Sequence, residues 1–179
     1  MDPRPPLDAR LAAIDLLVLD VDGVLTDGSI IVDDHGVESK HFNVRDGAAI
    51  ALWIKLGKRA AILSGRSARC VDHRAADLGI APVVQGSGDK GADLRAMLAR
   101  LGTDAARAAF VGDDLADLPA LDLAAFAACP ADAAPEVRRA VDLVADAPGG
   151  RGAVREVVET ILKAQGLWPE ARPARARSA

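Results

Sequence analysis

Two pairs of aspartates in this chain have the spacing expected of a metal-dependent site. Asp20 and Asp22 follow one short apolar run, and Asp113 and Asp114 follow another. A single Asp after a strand usually forms a turn or caps a helix. Several carboxylates that lie close together repel one another unless a cation neutralises them, and oxygen ligands of this kind suit Mg²⁺. If the two pairs meet, they predict a magnesium site.

A hydroxyl and a lysine follow two other apolar runs. Ser64 follows the run that ends at Leu63, and Lys90 lies at the start of a helical pattern. Ser64, Gly65 and a helix expected to begin near Arg66 offer a hydroxyl and free N–H groups to a phosphate. Lys90 adds a positive point charge. These residues therefore predict an anion-binding site beside the carboxylates.

Together these side chains could transfer a phosphoryl group. A phosphate ester is already anionic, so a site must neutralise its charge and place a nucleophile in line with the leaving oxygen. Asp20 could be that nucleophile and form an aspartyl-phosphate, with Mg²⁺ bridging the carboxylate and the phosphate. Asp22 could donate a proton to the leaving oxygen and then take one from water.

The apolar runs and the helical patterns between them predict a doubly wound α/β fold. Runs without polar alternation suit strands buried on both faces of a mostly parallel, Rossmann-like sheet. Apolar residues at helical spacing from Leu94 to Leu101, from Val154 to Leu162 and around Trp53 indicate crossover helices. Ligands bind at the carboxyl ends of the strands of such sheets. The predicted strands are Leu16 to Leu19, Ala60 to Leu63, Pro82 to Val84, Ala108 to Val111 and Ala124 to Ala128.

One segment departs from this alternation. Residues 28–42 place Asp33-Asp34-His35-Gly36 between two short extended runs, which predicts a β-hairpin flap. We expect an N-terminal arm at residues 1–13 and a single domain at 14–167. Residues 168–179, with three arginines, are expected to form a flexible tail.

Composition excludes several other classes of protein. The chain has 179 residues and a net charge of −4, which gives no electrostatic footprint for nucleic acid, and 3% aromatics leave no stacking platform. Two cysteines are too few for a disulfide framework or a zinc site. No apolar run of 18 residues predicts a membrane span. We expect a cytoplasmic protein without nucleic-acid or membrane partners.

Four motifs resemble those of the haloacid dehalogenase superfamily. They are Asp20 to Thr26, Ile62 to Arg66 with Ser64 inside it, Lys90, and Gly112 to Asp114 with Asp117. The resemblance implies that Asp20 is the nucleophile and a metal ligand. It also implies that Asp22 is the general acid and base and binds the metal through its carbonyl, and that Asp113 completes the metal site. Ser64 and Lys90 would hold the transferring phosphate.

Further segments narrow the resemblance to the 3-deoxy-D-manno-octulosonate 8-phosphate phosphatases, enzymes of lipopolysaccharide precursor synthesis. These segments are Asn43 to Gly47, Ser64 to Arg66 and Gly149 to Glu156, and with the other motifs the similarity covers residues 14–167. The resemblance implies a fold with no large cap domain and a sugar acid phosphate as substrate. It also implies a homotetramer in which flaps meet centrally and a neighbour covers each site. The residues expected at the substrate are Asp22, Asn43, Val44, Arg45, Asp46, Gly47, Arg66, Arg74, Lys90 and Arg151.

Several alternatives stay open at this point. Ala51 stands where some members of the subfamily carry an arginine, so a nine-carbon sialic-acid-type phosphate is the alternative substrate. Arg45 beside Asp46 would also suit a surface ion pair, and Arg74 a solvated helix position. A receiver domain has its acidic pair after the first strand and its phospho-accepting Asp after the third. This chain fits that pattern poorly, because it has a further Asp pair after the fourth predicted strand and a Ser64-Gly65 turn after the second. A silent relative would need a broken motif, and all four are intact.

Overall fold

The chain is an α/β protein, described here for residues 5–169 in a computed structural model. Six parallel strands form the main sheet in the order β5-β4-β1-β6-β7-β8, and β2 and β3 form a separate antiparallel pair. The strands are β1 Leu16–Leu19, β2 Ile31–Val32, β3 Glu38–Ser39, β4 Arg59–Leu63, β5 Val83–Val84, β6 Ala108–Val111, β7 Phe126–Cys129 and β8 Leu143–Val144. The helices are α1 Leu7–Ala13, α2 Val44–Lys55, α3 Arg69–Leu78, α4 Lys90–Leu101, α5 Leu118–Leu123, α6 Pro135–Ala140 and α7 Ala153–Ala164.

The position of β1 at the centre of the sheet explains why its sequence is apolar throughout. All four of its residues are buried, because β1 pairs with β4 on one side and β6 on the other while helices cover both faces. Leu17 and Leu19 belong to the apolar cluster that contains Trp53 of α2, and Leu16 belongs to the cluster that contains Leu94 of α4. Successive side chains of a strand point to opposite faces, so a strand with two buried faces needs apolar residues throughout.

The doubly wound, mostly parallel sheet predicted from the sequence is confirmed. The first and fourth predicted strands coincide with β1 and β6, and the other three differ from β4, β5 and β7 by one or two residues at their ends. The short edge strand β8 was not predicted, because the two residues Leu143 and Val144 give no periodic signal. Within residues 5–169 no helix is long and apolar enough to cross a lipid bilayer.

Both ends of the chain make contacts that the predicted arm and tail did not include. Helix α1 occupies part of the segment predicted as an arm, and Arg10 ties it to the sheet through the Ala125 carbonyl at 2.6 Å and Asp142 at 2.8 Å. At the other end the Arg155 guanidinium lies over the ring of Trp168, with its Cζ 5.4 Å from the ring centroid. The three arginines of the predicted tail lie outside the described residues.

The flap is a small hairpin, as the sequence predicted. Its turn is organised by Asp33, whose side chain accepts the N–H groups of His35 at 2.9 Å and Val37 at 2.8 Å. Gly36 has a φ of +76°, which a residue with a side chain rarely adopts. Between residues 5 and 169 there is no large cap domain, so this hairpin is the element that lies over the carboxyl edge of the sheet near Asp22.

Candidate active site

Three carboxylates meet at the carboxyl edge of the sheet. Asp20 follows β1 and Asp113 follows β6, and the parallel pairing of these strands, with Leu19 opposite Val111, brings the two residues side by side. One oxygen from each of Asp20, Asp113 and Asp117 lies within 4.8 Å of the others. The convergence that the sequence predicted for Asp20 and Asp113 is therefore present in the structure.

Lys90 is the cation of this cluster. It is the first residue of α4, which Asp89 caps by accepting the N–H of Ala92 at 2.9 Å. The Lys90 ammonium lies 3.0 Å from Asp20 Oδ2 and 2.5 Å from Asp117 Oδ1, and its side chain is 5% exposed. Burial disfavours the ammonium, but Asp20 and Asp117 outweigh burial and raise the pKa of Lys90. The lysine is thus held charged beside the proposed nucleophile.

Asp117 was noted in the fourth motif but was not predicted as a site residue. Its Oδ2 accepts the N–H groups of Asp113 at 2.9 Å and Asp114 at 3.1 Å, and its Oδ1 accepts from Lys90. It also closes a capping box with Asp114 over the 3-10 helix Leu115–Asp117. Spacing of Asp114 and Asp117 by three residues is a capping signal that the sequence analysis could have used. Asp117 therefore fixes the turn that carries Asp113.

Two glycines allow the backbone to approach these carboxylates. A Cβ on Gly23 would lie 2.0 Å from Asp113 Oδ2, and the φ of Gly23 is +81°. A Cβ on Gly112 would lie 2.5 Å from Cβ and Cγ of Asp117. Any side chain at either position would displace a carboxylate, so the glycines in the first and fourth motifs are needed for packing around the acidic cluster.

The protonation of the cluster indicates a site that needs a cation. Burial, followed by repulsion from Asp117, raises the pKa of Asp20 to about 6 although Lys90 opposes the shift. Burial, followed by repulsion from Asp20 and Asp117, raises the pKa of Asp113 to about 7. Asp20 Oδ1 is buried and has no hydrogen-bond partner among the described residues. A divalent cation bound by Asp20 and Asp113 would satisfy that oxygen and favour both ionised carboxylates.

Asp22 lies under the flap and contacts Arg66, which was predicted as a site residue, and Lys40, which was not. Its Oδ1 accepts a hydrogen bond from Lys40, and its Oδ2 lies 3.6 Å from Arg66 Nε. Glu38 contacts the same two cations, at 2.8 Å from Lys40 Nζ and 2.8 Å from Arg66 Nη2. Residues 38 and 40 are two apart in an extended segment, so their side chains point to the same face. That spacing was the signal available in the sequence.

Arg66 reaches this cluster from a loop. The helix expected to begin near Arg66 begins at Arg69, with Ala68 as its N-cap, so the prediction of a helix start at Arg66 was wrong. Gln85 accepts the Ala68 N–H at 2.9 Å and thereby takes up one of the donors expected for phosphate. Ser64 is buried at the end of β4, where its own N–H donates to the Val84 carbonyl at 2.9 Å. Ser64 thus lies at the same edge of the sheet as Asp20.

The segment from Asn43 to Gly47 contacts the protein's own backbone. Asn43 caps α2 by accepting the Arg45 N–H at 2.8 Å and donates to the Gly150 carbonyl at 3.1 Å. Asp46 is buried, and its two oxygens accept the N–H groups of Gly152 at 3.2 Å and Arg155 at 2.8 Å. Both oxygens of Asp46 are therefore engaged at the start of α7, which differs from the predicted contact with the sugar acid.

The loop held by Asn43 and Asp46 packs against the segment that follows Asp20. A Cβ on Gly149 would lie 1.8 Å from the Gly23 carbonyl oxygen, and a Cβ on Gly150 would lie 2.5 Å from the Thr26 carbonyl carbon. Close approach explains the glycines of this loop. In this chain Gly149 and Gly150 approach the protein's own Gly23–Thr26 segment.

The other residues predicted to bind substrate are Val44, Arg45, Gly47, Arg74 and Arg151. Val44 is 80% exposed, and Ala51 is exposed on α2. Arg74 pairs with Asp77 at 2.8 Å, and its Nη2 occupies the place that a Cβ on Gly47 would take. Arg45 and Arg151 line one cavity of about 410 Å³ together with Arg155. Among the described residues, none of these side chains forms a hydrogen bond or an ion pair with the acidic cluster.

Comparison with known proteins places the chain in a family. The haloacid dehalogenase-like hydrolase model matches residues 37–124. The 3-deoxy-D-manno-octulosonate 8-phosphate phosphatase KdsC of Salmonella typhimurium is 41% identical over 168 residues, which are 94% of this chain and 89% of the relative. The corresponding protein of Escherichia coli K12 is 42% identical over 164 residues, which are 92% and 87% of the two chains.

Solved structures agree with this assignment. The 3-deoxy-D-manno-octulosonate 8-phosphate phosphatase of Moraxella catarrhalis, in complex with magnesium, phosphate and KDO, superposes with a TM-score of 0.86 at 40% identity. The alignment covers 89% of this chain and 91% of that one. The cobalt-bound Haemophilus influenzae enzyme gives a TM-score of 0.85 at 39% identity, with 88% and 92% covered. The chain therefore belongs to the haloacid dehalogenase-like hydrolases and is one of their phosphoric monoester hydrolases.

Proposed function

We propose that this enzyme hydrolyses 3-deoxy-D-manno-octulosonate 8-phosphate to the free sugar acid and phosphate, with Mg²⁺ as cofactor and Asp20 as nucleophile. The observation that carries the proposal is the buried Asp20 Oδ1, which has no partner among the described residues, while Lys90 holds Oδ2 at 3.0 Å. One oxygen is thus available and the other is fixed. The names of the relatives at 41% and 42% identity supply the substrate.

The arrangement of side chains supports two chemical steps. In the first, Asp20 attacks phosphorus, and the bond from phosphorus to the sugar oxygen breaks with its electron pair on that oxygen, which takes a proton from Asp22. In the second, water gives a proton to Asp22 and attacks the phosphorus of the aspartyl-phosphate, which releases phosphate and the Asp20 carboxylate. Lys90 and Ser64 would hold the non-bridging oxygens throughout.

The donor set suits Mg²⁺. Asp20 and Asp113 offer carboxylate oxygens, and the backbone carbonyl of Asp22 is the third ligand implied by the resemblance. Asp117 is less available as a ligand for Mg²⁺, because its oxygens already accept hydrogen bonds from Lys90 and from two backbone N–H groups. When bound, Mg²⁺ would neutralise charge that builds up on the phosphoryl oxygens.

A homotetramer with shared active sites is part of the proposal. The flap exposes the apolar side chains of Ile30, Ile31, Val32 and Val37, which are 50%, 37%, 54% and 60% exposed. Contiguous exposed apolar side chains favour a protein contact. Flaps of neighbouring chains that meet through these residues would bring Arg45 or Arg151 towards a neighbour's substrate. We place the reaction in lipopolysaccharide precursor synthesis in the cytoplasm.

Phosphate release tests the function. The purified chain is given 3-deoxy-D-manno-octulosonate 8-phosphate or a nine-carbon sialic-acid-type phosphate, each with Mg²⁺ and with a chelator, and Asp20→Asn is the control. We expect release from the eight-carbon substrate that requires both Mg²⁺ and Asp20. A preference for the nine-carbon substrate would leave the mechanism in place and overturn the substrate. Release that persists in the chelator or in Asp20→Asn would overturn the mechanism.

A further inference from the structure

Lys40 is an unusual residue in its surroundings. No residue from 28 to 42 is buried as a whole, yet the side chain of Lys40 is only 1% exposed. Its ammonium contacts Asp22 Oδ1 and lies 2.8 Å from Glu38 Oε1. Burial opposes the charge, but the hydrogen bonds to Asp22 and Glu38 outweigh burial and raise the pKa of Lys40. The enclosed side chain of Lys40 is therefore a paired cation within a mostly exposed hairpin.

The contacts of Lys40 fix the flap to the proton-transfer residue. Strands β2 and β3 have two residues each, and the apolar side chains of β2 are exposed, so packing of the strands contributes little to holding the hairpin in place. Phe42, at the end of the flap, is partly buried against the core. Two cations and two carboxylates join the hairpin to the edge of the sheet: Lys40 and Glu38 from the flap, Asp22 and Arg66 from the loops. Enclosing such groups costs free energy that an apolar contact would not, so stability alone does not explain their choice.

The two cations, Lys40 and Arg66, contact Asp22 in different ways. Lys40 is hydrogen-bonded to one oxygen of Asp22, whereas the Arg66 guanidinium is 3.6 Å from the other and 2.8 Å from Glu38. Arg66 is half exposed, with 50% of its side chain accessible, and Lys40 is enclosed. The orientation of the Asp22 carboxyl group is thus set mainly by Lys40.

We propose that Lys40 is a positioning residue for the reaction, which orients the Asp22 carboxyl group for both proton transfers when the flap lies over the site. Lys40 forms no covalent bond and transfers no proton in this role. Asp22 gives its proton to the leaving sugar oxygen and regains one from water, and Lys40 acts only through Asp22. The inference rests on the proposed function, in which Asp22 is the general acid and base.

A double-mutant cycle tests this role. Lys40→Met, Asp22→Asn and the double variant are compared with the unaltered chain, with Mg²⁺ present, on the sugar acid phosphate and on p-nitrophenyl phosphate. Because misplacement of a catalytic group costs up to about 100-fold, we expect Lys40→Met to lower kcat by about 10- to 100-fold with KM unchanged. In the Asp22→Asn background the same change is expected to have no further effect. Lys40→Arg should restore part of kcat.

Controls separate positioning from folding of the flap. Ser39 lies on the same strand and is exposed, so Ser39→Ala should leave kcat, KM and the oligomeric state unchanged. Equal losses from Lys40→Met in both Asp22 backgrounds would overturn the inference, and so would a loss confined to KM. If the sugar acid phosphate is not hydrolysed but p-nitrophenyl phosphate is, the proposed substrate fails and the cycle on p-nitrophenyl phosphate still decides the role of Lys40.

Discussion

The carboxylates at the ends of β1 and β6 are held by the main sheet, whereas the side chains that lie over them are held by a hairpin and by loops. We call Asp20, Lys90, Asp113 and Asp117 the buried centre, and we call the flap, residues 43–47 and the loop 149–152 the rim. In the buried centre Lys90 lies 3.0 Å from Asp20 and 2.5 Å from Asp117, and these three side chains are buried, while Asp113 is half-buried beside them. In the rim most contacts are solvated or are made to backbone groups.

Because the two regions are held differently, substitutions in them should affect the reaction in different ways. Substitutions in the buried centre alter the electrostatics of the transition state, since buried charges interact strongly. Substitutions in the rim act through position or through contacts that solvent weakens. Substitutions in the buried centre should therefore have larger effects than substitutions in the rim.

Loss of the buried cation should have the largest effect. Lys90→Met leaves Asp20 and Asp117 without their shared partner, so kcat should fall by about 10²- to 10³-fold. In a chelator the free energy of unfolding should fall by about 3 kcal/mol, because a buried ion pair has lost one member. Steady-state kinetics and urea unfolding measure the two quantities. Lys55→Met, on an exposed lysine, is the matched control, and equal behaviour of the two variants would contradict the account.

The second prediction concerns the dependence of stability on pH and metal. The pKa values of Asp20 and Asp113 are raised to about 6 and about 7 from 3.8, so without metal the folded chain binds more protons than the unfolded chain between pH 4 and 7. These two groups therefore make stability fall as pH rises through that range. Mg²⁺ competes with those protons.

Thermal unfolding with and without Mg²⁺ tests whether the metal stabilises the folded chain more at high pH, as competition with protons predicts. The increase in Tm caused by Mg²⁺ should be larger at pH 8 than at pH 5, because the ligands are already ionised at pH 8. Asp113→Asn should remove most of the increase at both values. An increase that is larger at pH 5 would mean that these carboxylates do not bind the metal.

A third change tests the rim through Asp46. Asp46→Ala removes the acceptor of two backbone N–H groups at the start of α7, so the free energy of unfolding should fall by about 2 kcal/mol. KM should change little if capping is the main role of this residue. Asp77→Ala, at an exposed aspartate, provides the control. A large rise in KM without loss of stability would restore the predicted contact with substrate.

The smallest effect on stability is expected at Arg151. Its guanidinium lies 3.5 Å from Asp27 and is 66% exposed, so Arg151→Ala should change the free energy of unfolding by less than about 1 kcal/mol. If Arg151 reaches substrate in an assembled tetramer, kcat/KM should nevertheless fall. Unchanged kcat/KM in a preparation that sediments as a tetramer would remove Arg151 from the proposed substrate contacts.

The buried centre was accessible to sequence analysis because the sheet determines it. Apolar runs predict β1 and β6, and because the carboxyl ends of parallel strands lie at one edge of the sheet, they also predict that Asp20 and Asp113 come together. The spacing of Asp114 and Asp117 also carried a capping signal, although its consequence for Lys90 depends on where α4 packs.

The rim was predicted less well for a physical reason. Lys40 contacts Asp22 only because the hairpin folds back over the edge of the sheet, and no local pattern in residues 28–42 specifies that direction. Asp46 looks like a residue of a binding segment, but its partners are about a hundred residues away, at Gly152 and Arg155. Contacts between distant loops depend on tertiary packing, which propensity and periodicity do not report.

The central claim is that Asp20 becomes phosphorylated during turnover. Acid quenching of the enzyme with substrate and Mg²⁺, followed by borohydride reduction and peptide mass spectrometry, would convert an aspartyl-phosphate into homoserine. We expect homoserine at position 20 alone, in an amount that increases when Asp22→Asn slows the second step. Homoserine at another aspartate, or none in a sample that releases phosphate, would contradict the assignment of Asp20 as nucleophile.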